Sequence, residues 1–375
     1  MRILLPLVRI TLLWCLTLLL PSCVEPYMPD VISSPKSYLV VDGFINCNGV
    51  TTLKLSRTSA INEPGISPAE TKATVYLEEE AGSRYRLQEK TTGTYTSDNL
   101  RLNSAKRYRI HLIITPSKEY ASDFVTAQLT PKIDDVKWQL DTKGINIFVN
   151  THDPTNATRY YRWECEETWE TRPVITSGIE YVNNKLQNRL IPYPTVCWGN
   201  EISTDIKLGS TASLSQDVVS DYLLRSYTST NARFRHKYSI LVRQHAQTQE
   251  EYNYWNLLKK NTENIGTLFD PLPAQITGNV HCLSDDSELA FGYIGAHSVE
   301  ETRIFITRAQ LPLSLPVSTG YDDCIADTVV SRDIPGVFGF AGNIPVAVIS
   351  VGALGTSVEC VDCRLRGTTV KPAYW

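Results

Sequence analysis

Between Tyr38 and Thr130 the chain repeats one pattern, short runs in which apolar residues alternate with polar ones, each closed by turn residues. The runs are Tyr38–Ile45, Thr51–Leu55, Ala73–Glu78, Tyr85–Gln88, Thr94–Ser97, Tyr108–Ile114 and Ser122–Gln128. In the sixth, Tyr108, Ile110, Leu112 and Ile114 fall on one side while Arg109 and His111 fall on the other. A period of two belongs to a strand buried on one face and cannot form a helical stripe. About seven such strands in a hundred residues predict a mainly β protein with an N-terminal immunoglobulin-like β-sandwich over residues 36–131. Leu102 followed by Tyr108 at the start of the penultimate strand fits a tyrosine corner, in which the hydroxyl bonds the backbone upstream. Pro131-Lys132-Ile133-Asp134-Asp135 reads as the joint to a larger, mixed, β-rich domain with a few helices over 132–375.

In the second domain Tyr161, Trp163, Cys165 and Trp169 share one face of an aromatic strand, with Arg162, Glu164 and Glu166 on the other. Two helices are expected. Ser215 would cap a short one carrying Val218, Val219, Tyr222 and Leu223. Thr248 with Glu251 forms a capping box, after which Tyr252, Trp255 and Leu258 or Lys259 recur at helical spacing. Asn264 and Gly266 would end that helix, and Pro271 and Pro273 forbid its continuation. Strands are expected again at Leu289–Ile294 and Thr302–Thr307. Tyr160, Tyr161, Trp163, Trp169, Tyr181, Tyr193 and Trp198 crowd this domain. Tyr161 and Trp163 belong to the core, whereas Tyr193, Trp198 and Trp169 are the candidate ligand- or partner-binding rings, Tyr193-Pro194 being the more exposed.

The amino terminus sets the compartment. Met1 and Arg2, then Arg9, precede the acid-free apolar run of residues 10–20, which has the form of a secretory signal and is too short to span a bilayer comfortably. It ends in Leu20-Pro21-Ser22-Cys23, which resembles a bacterial lipobox. Residues 1–22 then form the signal peptide, Cys23 is the lipidation site, and 23–35 form an extended tether. Two or three acyl chains at about 0.8 kcal/mol per buried methylene hold a protein firmly to a membrane. The chain carries 36 basic and 40 acidic side chains, and cleavage removes two of the bases. That balance argues against nucleic acid as a partner.

Of nine cysteines, Cys15 leaves with the signal and Cys23 takes lipid. Cys47, Cys165, Cys197, Cys282, Cys324, Cys360 and Cys363 remain, an odd number in an oxidising compartment, so one thiol at least stays free. Cys360-Val361-Asp362-Cys363 is a single CxxC, and tetrahedral zinc needs two more ligands, for which His281 beside Cys282 is the nearest candidate. Disulfides are the stronger expectation, with Cys360 or Cys363 joined to Cys324 or Cys282 and the terminal Tyr374 and Trp375 pinned against the second domain. No metal, cofactor or catalytic residue is assigned. Asp285-Asp286 and Asp322-Asp323 lack the spacing of a calcium loop. His111, His152, His236, His245, His281 and His297 form no HExxH, and neither a GxSxG elbow nor a phosphate-binding glycine loop is present.

These residues also carry a family resemblance. Asp42-Gly43-Phe44-Ile45 before Leu55-Ser56-Arg57-Thr58, Tyr161-Arg162-Trp163 with Glu167-Thr168-Trp169, Cys197-Trp198, and Tyr238–Val242 with Gln244 resemble the domain-of-unknown-function 4249 family of Bacteroidota lipoproteins. So do Asn261-Thr262-Glu263 to Phe269-Asp270-Pro271, Gly278-Asn279-Val280 and the closing Cys360-Val361-Asp362-Cys363-Arg364 with Lys371–Trp375. Thr368 stands after Gly367 where a second glycine is common, and Tyr374 replaces a usual phenylalanine. The resemblance implies an outer-membrane, surface-exposed, non-enzymatic lipoprotein that captures a ligand for, or gates, a TonB-dependent transporter. A stand-alone adhesion or structural module is the alternative, and a secreted hydrolase a distant third. Cys23→Ser should abolish acylation and leave the fold intact, so radiolabelled palmitate is expected in the wild type and absent from the variant.

Overall fold

The computed structural model describes residues 37–59, 65, 67–263, 276 and 278–375. Cys15, Cys23, the signal and the tether lie outside the described residues, as do Asn264, Gly266, Pro271 and Pro273. The protein is mainly β, and its strands surround two hydrophobic cores.

The first core lies within strands β1 (Leu39–Asn46), β2 (Asn48–Arg57), β3 (Thr74–Glu79), β4 (Arg84–Thr91), β5 (Thr94–Arg101), β6 (Arg107–Thr115), β7 (Lys118–Ser122) and β8 (Val125–Thr126). Pairing runs β7-β6-β3-β4-β5-β2-β1, with β8 off the path on β6. The period-two reading of the sixth run holds for Tyr108, Ile110 and Leu112, which are buried. His111, expected outside, is buried too, because Glu78 and Glu119 close over its ring. Tyr108 makes the corner: its hydroxyl accepts from the Asn103 N–H at 3.0 Å. The last expected run is displaced. Its strand is Lys118–Ser122, which buries Tyr120, Ala121 and Ser122; beyond it Val125–Thr126 pairs with β6 and Gln128 forms a single bridge to His297.

The second core lies between two sheets to which β9 (Ile133–Leu140), β10 (Gly144–Asp153), β11 (Tyr160–Thr171), β14 (Cys197–Ile202), β15 (Lys207–Ser210), β16 (Asp217–Thr228) and β17 (Lys237–Gln247) belong, while β12 (Ile179–Val182) and β13 (Lys185–Asn188) form a hairpin of their own. Helix α1 (Gln249–Glu263) follows, then β18 (Val280–Cys282), β19 (Ala290–Phe291), β20 (Ala296–His297) and β21 (Val299–Thr307). One sheet is β16-β10-β9, and the other is β14-β11-β17-β21 with β15 on β11. Tyr161, Trp163 and Cys165 are buried in this core as the alternation requires. Thr248 caps α1, accepting the Glu251 N–H at 3.2 Å.

The helix expected after Ser215 does not form. Residues 217–228 are strand β16, antiparallel to β10, with irregular register at Ile147/Phe148 and at Val149/Thr151. Those irregularities turn Val219, Tyr222 and Leu224 inward and leave Val218 and Leu223 exposed, a spacing that imitates a helical face. The strand expected over Leu289–Ile294 shrinks to Ala290–Phe291, because Gly292 takes a φ of 126° and lies so close to the Val41 carbonyl that a side chain would collide with it.

Strands β18, β19 and β20 come from beyond residue 132 but pair with β7 and β1, and Val280, Cys282, Ile294 and Ala296 enter the first core. The Ile45 and Cys47 N–H groups donate to the Gly295 and His297 carbonyls at 2.8 and 3.0 Å. The chain therefore returns to the first core before β21 completes the second.

A small sheet ends the fold: β22 (Asp327–Val330), helix α2 (Ile334–Phe338), β23 (Asn343–Ile349) and β24 (Gly352–Ser357), in the order β22-β24-β23. The disulfides beside it are Cys324–Cys360 and Cys197–Cys363. The first lies within the expected set. The second corrects it. Cys282 remains a buried thiol in the first core, and Cys363 instead meets Cys197 at the start of β14. The tail makes that meeting possible by bonding along β14, with Trp198 N–H to Thr368 O at 2.8 Å and Thr368 N–H to Trp198 O at 2.9 Å. Cys47 and Cys165 are also free and buried. Tyr374 reaches the Thr168 hydroxyl at 2.7 Å under the Arg303 guanidinium, and the terminal indole of Trp375 meets Phe305 edge-on.

One charged residue lies on the core-facing side of β11. Glu167 is 0% exposed, and it accepts from Arg225 Nε at 2.5 Å, Arg233 Nη1 at 2.6 Å and the Tyr227 hydroxyl. Both arginines reach on to Glu201, and Arg225 also reaches Asp205 at 2.9 Å. Removing one partner of a buried pair strands the others. Glu167→Ala should cost about 3–5 kcal/mol in urea unfolding, and Glu167→Gln less, because it still offers one acceptor.

Candidate functional site

A groove opens where the two units join. The chain leaves β8 through Ala127–Lys132 and enters β9, while β10 ends at Asp153 and turns through Pro154–Thr158 toward β11. Between these segments lies a cavity of about 660 Å³ lined by Leu129, Pro131, Lys132, His152, Pro154 and Ala157, among others. The volume and the largely apolar wall with a few polar groups suit a small ligand.

Its floor is set by hydrogen bonds from three directions. Thr130 is buried; its N–H donates to Ser298 Oγ at 2.9 Å, and its hydroxyl donates to the Ser298 carbonyl and accepts the Ala246 N–H at 3.0 Å. Gln244 Nε2 donates to the Pro131 carbonyl at 2.8 Å and to Thr151 Oγ1 at 3.0 Å, while its Oε1 accepts the Trp163 indole N–H at 2.8 Å. Thr151 in turn donates to the Lys132 carbonyl at 2.9 Å. Asp153 closes the far turn, accepting from the Thr155 and Thr158 N–H groups at 2.9 and 2.8 Å. Burial acts to raise the Asp153 carboxyl, but the donors of Thr155 and Thr158 outweigh it and hold it below the usual carboxylate range.

The rim carries charge. His152 Nδ1 lies 2.7 Å from Asp134 Oδ2, and that hydrogen bond and the carboxylate's charge raise the imidazole above its ordinary value. Lys132 stands nearby on the same wall. The groove thus offers apolar contact along its walls and ionic or hydrogen-bonding contact at its edge.

The candidate rings lie elsewhere. Trp169 sits opposite Gly199 and Trp198 opposite Glu170 in the β11–β14 ladder, so the two indoles point to opposite faces of the sheet. Arg233 covers Trp169 at 4.3 Å and Arg189 covers Tyr193 at 3.9 Å, leaving Tyr193 half-buried rather than open. Trp198 is also half-buried, with its indole N–H unpartnered. The structure does not bring Tyr193, Trp198 and Trp169 together into one binding face. Asp285 accepts from Ser287, and Asp322 from Ser318 and Thr319, as loop acids do. Among the described residues no three His, Cys, Asp or Glu side chains converge to hold a metal ion.

Sequence reasoning missed the groove, because its walls come from distant segments. Gln244 was the one available signal, a polar residue in the alternating inward set that otherwise reads Tyr238, Ile240, Val242 and Ala246. The rim is open to titration: the His152 ring should titrate above the ordinary histidine value by NMR, and Asp134→Asn should bring it back down.

No curated protein matches this chain. A solved structure titled "Biofilm associated protein - BSP domain" is 8% identical, with 90% of this chain and 79% of that chain covered at a TM-score of 0.14. The family described as "Domain of unknown function (DUF4249)" matches residues 24–303, most of the length, and the chain belongs to it.

Proposed function

We propose that this protein is an outer-membrane, surface-exposed lipoprotein, held by lipid on Cys23, that captures a ligand as the accessory partner of a TonB-dependent transporter. The observation that carries the capture reading is the groove at the joint of the two units, with its largely apolar walls and its His152–Asp134 and Lys132 rim. The partner reading draws support from the segments around the disulfide-bearing end. Leu190, Ile191, Phe340, Val348 and Val370 belong to these segments and are individually exposed, Leu190 to 90%, which leaves apolar surface available to a partner. The role is one of binding and not of catalysis.

Cross-linking in intact cells, followed by purification from detergent-solubilised outer membrane, tests the reading. A barrel transporter should be recovered with the wild type and reduced several-fold with Leu190→Asp/Phe340→Asp. Recovery of the chain alone would favour the stand-alone adhesion module, and full protection from protease added to intact cells would place the body in the periplasm.

A further inference from the structure

Behind the groove, His245 of β17 and His297 of β20 lie edge to face with ring centroids 5.0 Å apart. Phe44 of β1 stacks on His297 at 4.3 Å and stands edge-on to His245 at 5.2 Å. Both imidazoles are buried, and none of their four ring nitrogens has a hydrogen-bond partner. Gln247 Oε1, Arg162 Nε and Trp255 Nε1 are also unpartnered. Apart from the Trp198 indole, these are all the buried side-chain polar atoms left unpaired among the described residues.

Charge faces the pair from two elements. Strand β11 brings Arg162, stacked on Trp255 at 4.3 Å, and Glu164, whose Oε2 is 3.8 Å from His245 Nε2. Helix α1 brings Glu251, buried, with Oε1 3.5 Å from His297 Nε2 and 3.4 Å from Gln247 Nε2. The Glu251 carboxylate fills the place a side chain at Gly295 would need. Strand β1 contributes the uncharged Phe44 ring.

A buried polar atom without a partner costs about 1–3 kcal/mol, and a concentration of them at one seam works against stability. A neutral imidazole is tolerated there, whereas an imidazolium beside Arg162 is not. We propose that His245, packed against His297 and Phe44, is the trigger of an acid-released latch between the two units, and that its protonation loosens the seam and, through Thr130, the floor of the groove. The path is short: Ala246 follows His245 and donates to Thr130 Oγ1, and Ser298 follows His297 and accepts from Thr130. The latch does not depend on what the groove binds.

The direction follows from linkage. Burial, with the charge of Arg162 adding to it, lowers the His245 imidazole to about 4. Burial acts to raise the Glu251 carboxyl, but the neighbouring His297 ring and the Arg162 guanidinium outweigh it and hold it low. An opened seam returns His245 to its ordinary value near 6.5. The opened state then binds more protons, so closure is favoured at neutral pH and weakens as pH falls from about 6.5 toward 4. Loss of the Glu251 charge on further acidification acts in the same direction.

Hydrogen exchange of the full chain in detergent, at pH 7.5 and 4.5 and corrected for the intrinsic pH dependence of exchange, tests this. Peptides covering 44–47, 245–247 and 296–298 should open roughly ten- to a hundredfold more at pH 4.5, while the interior of β10 stays protected. His245→Phe, which keeps a ring and removes two unpaired nitrogens, should cut that response to less than about threefold. No rise, an equal rise in β10, or an unchanged response in the variant would overturn the latch. If the variant fails to fold, NMR titration of the wild-type ring decides: a His245 that titrates near 6.5 in the closed chain overturns the proposal, and one that titrates well below supports it.

Discussion

Strand β11 depends on a buried carboxylate for its place at the centre of the second sheet. Glu167 occupies the face that alternation assigns to the core, and it is tolerated there only because Arg225 of β16, Arg233 and Tyr227 bring their donors to it. An isolated buried carboxylate would be costly, so the network ties the two sheets of the second unit through one point. The opposite face of the same strand supplies Arg162 and Glu164 to the seam. One strand therefore sets the register of the second core and the electrostatics of the joint.

The two units are held by chain return as well as by contact. Residues 280–297 leave the second unit, pair along both ends of the first sheet, on β7 and on β1, and come back as β21. Gly292 and Gly295 make that route sterically available, one beside the Val41 carbonyl and the other against the Glu251 carboxylate. The groove and the histidine pair share the hydrogen bonds at Thr130. A ligand in the groove and a proton at the seam would act on one set of contacts.

The disulfides stabilise the other end. Loop closure over a separation of 36 for Cys324–Cys360 and 166 for Cys197–Cys363 constrains the unfolded chain, the longer loop more strongly. The second bridge joins the carboxyl-terminal region to β14, so the tail is held by covalent, backbone and aromatic contacts together.

Local chemistry was legible in the residues alone. The period-two runs, the corner tyrosine at Tyr108, the capping residue Thr248 and the buried face of Tyr161, Trp163 and Cys165 depend on spacing within a few residues, and spacing is what a sequence displays. The strand after Ser215 read as a helix because register irregularities against β10 shift its inward set, and β10 lies far away in the chain. Cys197 as the mate of Cys363, the opposite orientation of Trp169 and Trp198, and the meeting of Phe44, His245 and His297 likewise required knowing which strands are neighbours. Pairing between distant segments is decided by the packing of whole sheets, and only the tertiary structure contains it.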